Sequence, residues 1–455
     1  MSQLVRQLEA EPEKFEIINC YDSHTHFVAT GATELGFKLQ DLKSAIDIKN
    51  KIIHPHYFQG HWLVGFGWNQ HDWDIPQLPT KKILDNIFPD FPVLLSRVDG
   101  HCSWINSKAI HELSAKGYDF KYDLENHDGI LFEQDHINAL LRLPVFSDQQ
   151  IKAQAICAIK KFNHAGFTHV RDLSMNSQTA SILSEIYLDH NMTVCIDGFI
   201  TAENINDLSR AFEDFKKCKE FKNPFLRLQG LKIFVDGSIG SKTAFVSKPY
   251  SNIDSAVLDL KKSKAENIKI NLGILNWSFE EIKQAIHFCW SNKIEIAVHT
   301  IGDAGADLVV DAARSVAASG LLGKIHLEHV QLLRPETINK MKSLHIHCHM
   351  QPCHWLSDKK WIKQSIPDLF QYLFQWELLR KNKIAISFGS DSPIEHPSIF
   401  SNLKAIKDTE FYGISKLNAD PILFHAHPDS NWGNSKTLCI GEEIREVYFN
   451  GQKII

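Results

Sequence analysis

Lys232 lies near the end of a strand-like run, Leu228 to Val235, just before Asp236-Gly237-Ser238. An ammonium in an apolar strand is costly unless it is neutralised or paired, so packing does not explain it. Residues able to hold a cation close other runs of the same kind: His24 and His26 after Ile17 to Tyr21, His299 after Ile294 to Val298, His329 after Ile325 to Glu328, and Asp391 after Ile384 to Phe388. Neutral imidazoles and carboxylates are ligands for divalent ions such as zinc, and a catalytic site keeps one position open for water. Four histidines, an aspartate and a lysine exceed the needs of one ion. As an ammonium, lysine has no lone pair to give, but its carbamate with carbon dioxide has two oxygens and can bridge two cations about 3.5–4 Å apart. The competing account of Lys232 is a buried ion pair with Asp236 or another acid.

His-x-His alone says little here, because it occurs at 24/26, 54/56, 345/347, 347/349 and 425/427 in a chain with 24 histidines. The first follows directly on an apolar strand, where the two-residue period aims both rings at one face. His345, His347 and His349 also share a strand face, which leaves a pocket role open, with hydrogen-bonded core histidines the favoured reading for His345 and His347.

The elements that must position these residues are short β-rich runs at 15–22, 167–172, 193–200, 228–235, 294–299, 324–329, 345–350 and 383–390. Amphipathic stretches at 148–164, 177–189, 204–219, 279–291, 303–318 and 366–381 alternate with them. Alternating strands and helices read as parallel βαβ units, and eight of them make a (β/α)₈ barrel. The cation-binding residues fall at the carboxyl ends of the strands, where such barrels place their chemistry. The expected organisation is a barrel from 15–27 and 147–419, an insertion over 28–146 forming a lid or pocket wall with strands at 61–66 and 92–97, and a remnant β accessory segment at 420–455. Within that segment Asn450-Gly451 is a hairpin signal.

With 455 residues the chain can bury a large core. A formal net charge of −5 without long charged blocks points to neither nucleic acid nor an anionic membrane. The first 14 residues lack the apolar core of a signal peptide, and nine irregularly spaced cysteines fit reduced thiols, so a cytoplasmic protein is expected. Cys348 and Cys353 read as space-filling thiols. Gly237 to Thr243 mimics a phosphate loop, but Ser241 stands where glycine is required, and no Gly-x-Ser-x-Gly elbow occurs.

Longer motifs carry a family resemblance: Asp22-Ser23-His24-Thr25-His26; Ser96 to His101 with Trp104 and Asn106 to Ala109; Lys232 to Ser238; His299 to Asp303; Glu328 to Gln331; Met350 to His354; and Gly389 to Glu395. In this order the chain resembles the amidohydrolase superfamily, and within it the YtcJ-like branch, amidohydrolase family 3. The resemblance spans about residues 15 to 400. It implies that His24 and His26 bind the more buried metal, that Lys232 bridges as a carbamate, that His299 and His329 hold a second metal, and that Asp391 binds metal and handles the proton. One or two divalent ions, zinc foremost, are therefore the expected cofactors. His101, Trp104, Asp236 and His354 are the expected pocket wall, by resemblance only.

Two departures stand out. His349 replaces the family's usual small residue before Met-Gln-Pro, and half of the accessory β-sandwich looks absent, which leaves a homodimer open as a substitute. The expected activity is cleavage of an amide-type C–N bond in a small N-acyl or N-formyl compound by metal-activated hydroxide, with Asp391 and Lys232 as catalytic residues. An esterase or lactonase on the same scaffold, and a non-catalytic decayed member, are the alternatives.

Overall fold

The computed structural model describes residues 5–7, 14–98, 100, 102–118, 120, 128–251 and 271–455. The chain divides into two compact units, Met1–Phe27 with Ala158–Ile455, and Val28–Cys157. The helix Asp148–His164 runs across that division, which therefore lies beyond the 28–146 expected for the insertion.

In the first unit eight strands run parallel: β1 Tyr21–Thr25, β2 His169–Met175, β3 Cys195–Thr201, β4 Leu226–Phe234, β5 Glu295–Thr300, β6 Lys324–His329, β7 His345–Met350 and β8 Ala385–Phe388. They pair in chain order from β1 to β8. The last seam is closed beyond the β8 ladder, where Asp391 N donates to His24 O at 2.8 Å and His26 N to Ser392 O at 2.8 Å. Gly389 is required at this seam, because a Cβ there would stand 2.5 Å from the His24 nitrogen. Strands β1 to β3 are buried almost throughout, as expected when core layers and helices cover both faces. Between the strands lie the helices Ser177–Leu188, Leu208–Cys218, Phe279–Ser291 and Asp303–Ala318. Phe279–Ser291 starts with a capping box between Ser278 and Glu281, which satisfies two otherwise free amides.

Two expectations are corrected. The run at 15–22 is two strands in two sheets: Lys14–Ile18 leaves the barrel altogether, and β1 starts only at Tyr21. Asn19 makes the break, with φ 48° and a side chain that accepts from Ser435 N at 3.0 Å and donates to Trp432 O at 2.7 Å. The stretch 366–381 is not one helix. Pro367 disfavours a helical Ile366, Phe374 takes φ 49°, and helix resumes only at Trp376–Lys381.

Lys14–Ile18 joins a five-stranded antiparallel sheet in the order Val5–Gln7, Lys14–Ile18, Lys436–Ile440, Glu443–Phe449, Gln452–Lys453. Strands from both sides of the barrel thus build the accessory sheet, and the strands expected to be missing before the barrel are present. The Asn450-Gly451 hairpin is present, with φ 52° and 79°, a conformation glycine adopts without cost.

The second unit is built on a mixed sheet in the order Phe37–Lys38, Trp62–Trp68, Val93–Arg97, Cys102–Ile105, Ile130–Phe132, with Phe58–Gln59 on Trp62–Trp68. Strand alternation gives it two apolar faces, one centred on Leu63, Leu95 and Trp104, the other on Trp62, Leu94 and Ile105. Among the described residues no helix is long and apolar enough to cross a membrane.

Candidate metal centre

All six strand-end residues lie in or just beyond the carboxyl-terminal halves of barrel strands. One donor atom each from His24, His329 and Asp391 lies within 4.8 Å of the others. His24 Nε2 and His26 Nε2 stand 3.3 and 3.5 Å from Asp391 Oδ1. Two ligands of one tetrahedral ion with bonds of about 2.0–2.1 Å stand roughly 3.3 Å apart, so these spacings suit a shared cation. The ring of His329 is 4.6 Å from that of His24 and 4.5 Å from that of His299, centre to centre. His329 and Asp391 both take positive φ, 68° and 60°, a strain of about 1–3 kcal/mol each that is typical of functional positions.

Lys232 is fully buried and among the described residues its Nζ has no hydrogen-bond partner, lying instead 4.7 Å over the Phe234 ring. Burial lowers its pKa to about 8, against the upward pull of the Glu328 carboxylate. About a tenth of the amine is therefore neutral at pH 7, far more than for an ordinary lysine, and that is the form that reacts with carbon dioxide. The ion pair with Asp236 does not form, since Asp236 is occupied elsewhere. Its Oδ1 accepts from Ile301 N at 3.0 Å, and its Oδ2 accepts from Gly302 N at 2.8 Å and Phe245 N at 3.0 Å. Asp236 thus ties the loops after β4 and β5 together, and burial pushes its pKa up to about 7.

Glu328 stands in one of the motifs, yet sequence reasoning gave it no role. Its Oε2 is 2.6 Å from His24 Nδ1 and its Oε1 accepts from Arg171 Nη1 at 2.7 Å, with all three side chains buried. Burial opposes its ionisation, but Arg171, His24 and Lys232 together bring its pKa to about 2. A carboxylate on the far nitrogen of a metal-facing histidine fixes ring orientation and raises basicity. Burial lowers the pKa of His24, yet the Asp391 and Glu328 carboxylates outweigh it and raise the net value. Asp391 is held well below the usual range by His24, His26 and His329 in spite of its burial. Burial and Lys232 lower His299 to about 3, leaving it a neutral donor.

Further residues set these groups in place. Asp22 accepts from Ser390 N at 2.8 Å and from Ser390 Oγ at 2.6 Å, joining β1 to the turn that carries Asp391. Asp172 accepts from Phe27 N and from Ser174 Oγ, and that hydroxyl is 3.2 Å from His26 Nδ1. Arg171 had the same sequence signal as Lys232, a charge inside an apolar strand.

The expected pocket wall divides. His354 Nε2 is 3.7 Å from Asp391 Oδ2, so this histidine belongs to the centre. Trp104 does not line an open site in its unit: it is 0% exposed, packs in the core and donates Nε1 to Thr80 O at 2.9 Å. His101 lies outside the described residues. Cys348 and Cys353 are buried with thiol pKa values driven up by burial, which makes them inert.

The donor set fits divalent ions: two imidazoles and a carboxylate place one ligand atom each within 4.8 Å of one another, and among the described residues His329 Nδ1 and Lys232 Nζ are buried without a hydrogen-bond partner. Comparison with known proteins agrees. YtcJ of Bacillus subtilis (strain 168), named as an amidohydrolase, is 26% identical over 388 residues, covering 82% of this chain and 69% of the relative. The Arabidopsis thaliana protein LONG AFTER FAR-RED 3 is 25% identical over 410 residues, 84% of this chain and 66% of its own. The chain thus spans about two thirds of the length of both. A metal-dependent hydrolase of Pyrococcus horikoshii OT3, uncharacterised in function, shares the fold with a TM-score of 0.66 at 24% identity, covering 89% of this chain and 76% of that one. The amidohydrolase family model matches residues 21–409, most of the chain, and the protein belongs to the amidohydrolase family.

Proposed function

We propose that this amidohydrolase-family protein is a metal-dependent hydrolase of amide-type C–N bonds in small N-acyl or N-formyl compounds. The observation that carries the reading is the convergence of His24, His329 and Asp391 beside the buried, unpartnered amine of Lys232. His24, His26 and Asp391 would hold one ion, His299 and His329 a second, and carboxylated Lys232 would bridge them. Divalent ions held there, zinc foremost, supply Lewis acidity that lowers the pKa of water and polarises the substrate carbonyl.

The chain's own residues do the rest. Glu328, backed by Arg171, fixes the His24 ring. Asp391 takes a proton from the attacking water and delivers it to the nitrogen as the C–N bond breaks, giving a carboxylic acid and an amine. His354, beside Asp391, is the residue proposed to meet the substrate. A hydrolase of this design also attacks esters and lactones, which is the second reading.

The test is metal analysis of protein purified without added metal, then reloading with zinc and a screen of N-acyl and N-formyl compounds against matched esters and lactones. Ion-dependent hydrolysis of an amide supports the proposal. Cleavage of esters alone replaces it with the second reading, and a fully metallated protein inert on all classes overturns it.

A further inference from the structure

A second histidine cluster lies deeper in the barrel and plays no part in the reading above. His326 on β6 pairs in register with His347 on β7, and His349 pairs with Glu328. His326 and His349 are 3% and 1% exposed, and His347 is half-buried. One nitrogen from each of the three lies within 4.8 Å of the others.

Hydrogen-bond bookkeeping fixes the proton positions. His326 Nε2 is 2.6 Å from Glu295 Oε2, an acceptor, so in the neutral ring it carries the proton and Nδ1 is left as a lone pair. His349 Nε2 is 2.8 Å from that Nδ1 and must donate to it. His349 Nδ1 is then a lone pair, and among the described residues it is buried without a hydrogen-bond partner. All three rings are neutral: burial, followed by nearby cations such as Arg171 and Lys324, lowers His347 to about 3 and His326 and His349 well below their ordinary value. Those cations are themselves balanced, Arg171 by Glu328 at 2.7 Å and Lys324 by Glu295 at 3.4 Å.

We propose that His326, His347 and His349 form a separate binding site for a divalent transition-metal ion of the zinc class. Three neutral imidazoles suit such an ion and leave a fourth position for water. Glu295 on the far nitrogen of His326 is the carboxylate–histidine arrangement that orients metal ligands. An ion entering the cluster replaces the hydrogen bond between His326 and His349. The two nitrogens part from 2.8 Å to about 3.3 Å, and the His349 proton moves to Nδ1, so no net proton is released. Glu295 and Lys324 are partly exposed at the amino-terminal end of the barrel, so the cluster's outer partners meet solvent on the side away from the mouth.

Equilibrium dialysis of the chelator-stripped full chain against Zn²⁺, with Co²⁺ absorbance as a second readout, tests this. A mouth variant, His24→Asn with His26→Asn, should still bind one ion per chain at the cluster, with the visible bands of nitrogen-ligated tetrahedral Co²⁺. Adding His349→Gln should abolish those bands and lower the count by one. The half-buried His347→Gln gives the same reading if His349→Gln fails to fold. The proposal is overturned if the natively folded mouth variant shows no such bands, or if bands and count survive both cluster substitutions.

Discussion

Both ends of the barrel bury histidines and acids, yet they keep their hydrogen-bond accounts differently. At the amino-terminal ends of the strands, Asp197 Oδ1 accepts from Gln229 Nε2 at 2.7 Å and Oδ2 meets His427 Nε2 at 2.9 Å. His169 Nε2 donates to Trp432 O at 2.8 Å while its Nδ1 meets Thr168 Oγ1 at 3.1 Å. At the mouth, Lys232 Nζ, His329 Nδ1 and His354 Nε2 are buried with no hydrogen-bond partner among the described residues. Each such orphan costs about 1–3 kcal/mol, so a fold retains several together only where a ligand repays them. Satisfaction, more than residue type, separates the mouth from this network around Asp197 and His169.

The sharpest way to break this contrast is Asp391→Asn, which keeps size and one oxygen but removes the base. Turnover of an identified substrate should fall by about 10²–10⁴ with metal content unchanged. Near-normal rates in a fully metallated variant would show that another group moves the proton. Glu328→Gln comes next. It leaves the buried Arg171 guanidinium without its carboxylate, and removing one partner of a buried pair costs about 3–5 kcal/mol. Denaturant unfolding should show that loss, and a change below about 1 kcal/mol would mean that Arg171 finds water or another partner.

Much of this was legible in the chain. Eight β-rich runs, five of them closing at or just before a ligand-type residue, foretold the barrel and gathered the candidate ligands at one of its ends. Strand boundaries were less legible where two sheets share one run: nothing in Phe15 to Tyr21 marks Asn19 as a break, because its positive φ is held by Ser435 and Trp432, over 400 residues away. The supporting shell was hidden for a similar reason. Glu328 and Arg171 acquire meaning only when β1, β2 and β6 meet. Trp104 shows the converse error, a motif residue whose indole serves the packing of its own unit.

A smaller effect probes the satisfied end. Asp197→Asn weakens the bonds to His427 and Gln229, and should cost about 1–3 kcal/mol of stability while leaving turnover and metal content unchanged. A large fall in kcat with intact stability would join the amino-terminal network to the chemistry and erase the distinction between the ends.

The smallest effect is graded by pH. Burial lowers His169 to about 3 and His425 to about 4, so both stay neutral in the folded protein across mildly acidic pH. In the unfolded chain each titrates near 6.5. A depressed folded pKa contributes stability that is complete above the unfolded value and drains away as pH falls from about 6.5 towards the folded one. Each such histidine therefore adds a slope of up to about 1.4 kcal/mol per pH unit between those limits. His169→Gln can still donate to Trp432 O but cannot take a proton, so denaturant midpoints measured from pH 7 to pH 4.5 should decline less steeply in the variant by about that amount. An unchanged slope would mean that His169 is charged or solvated in the folded state, and that this end of the barrel is less completely satisfied than its hydrogen bonds indicate.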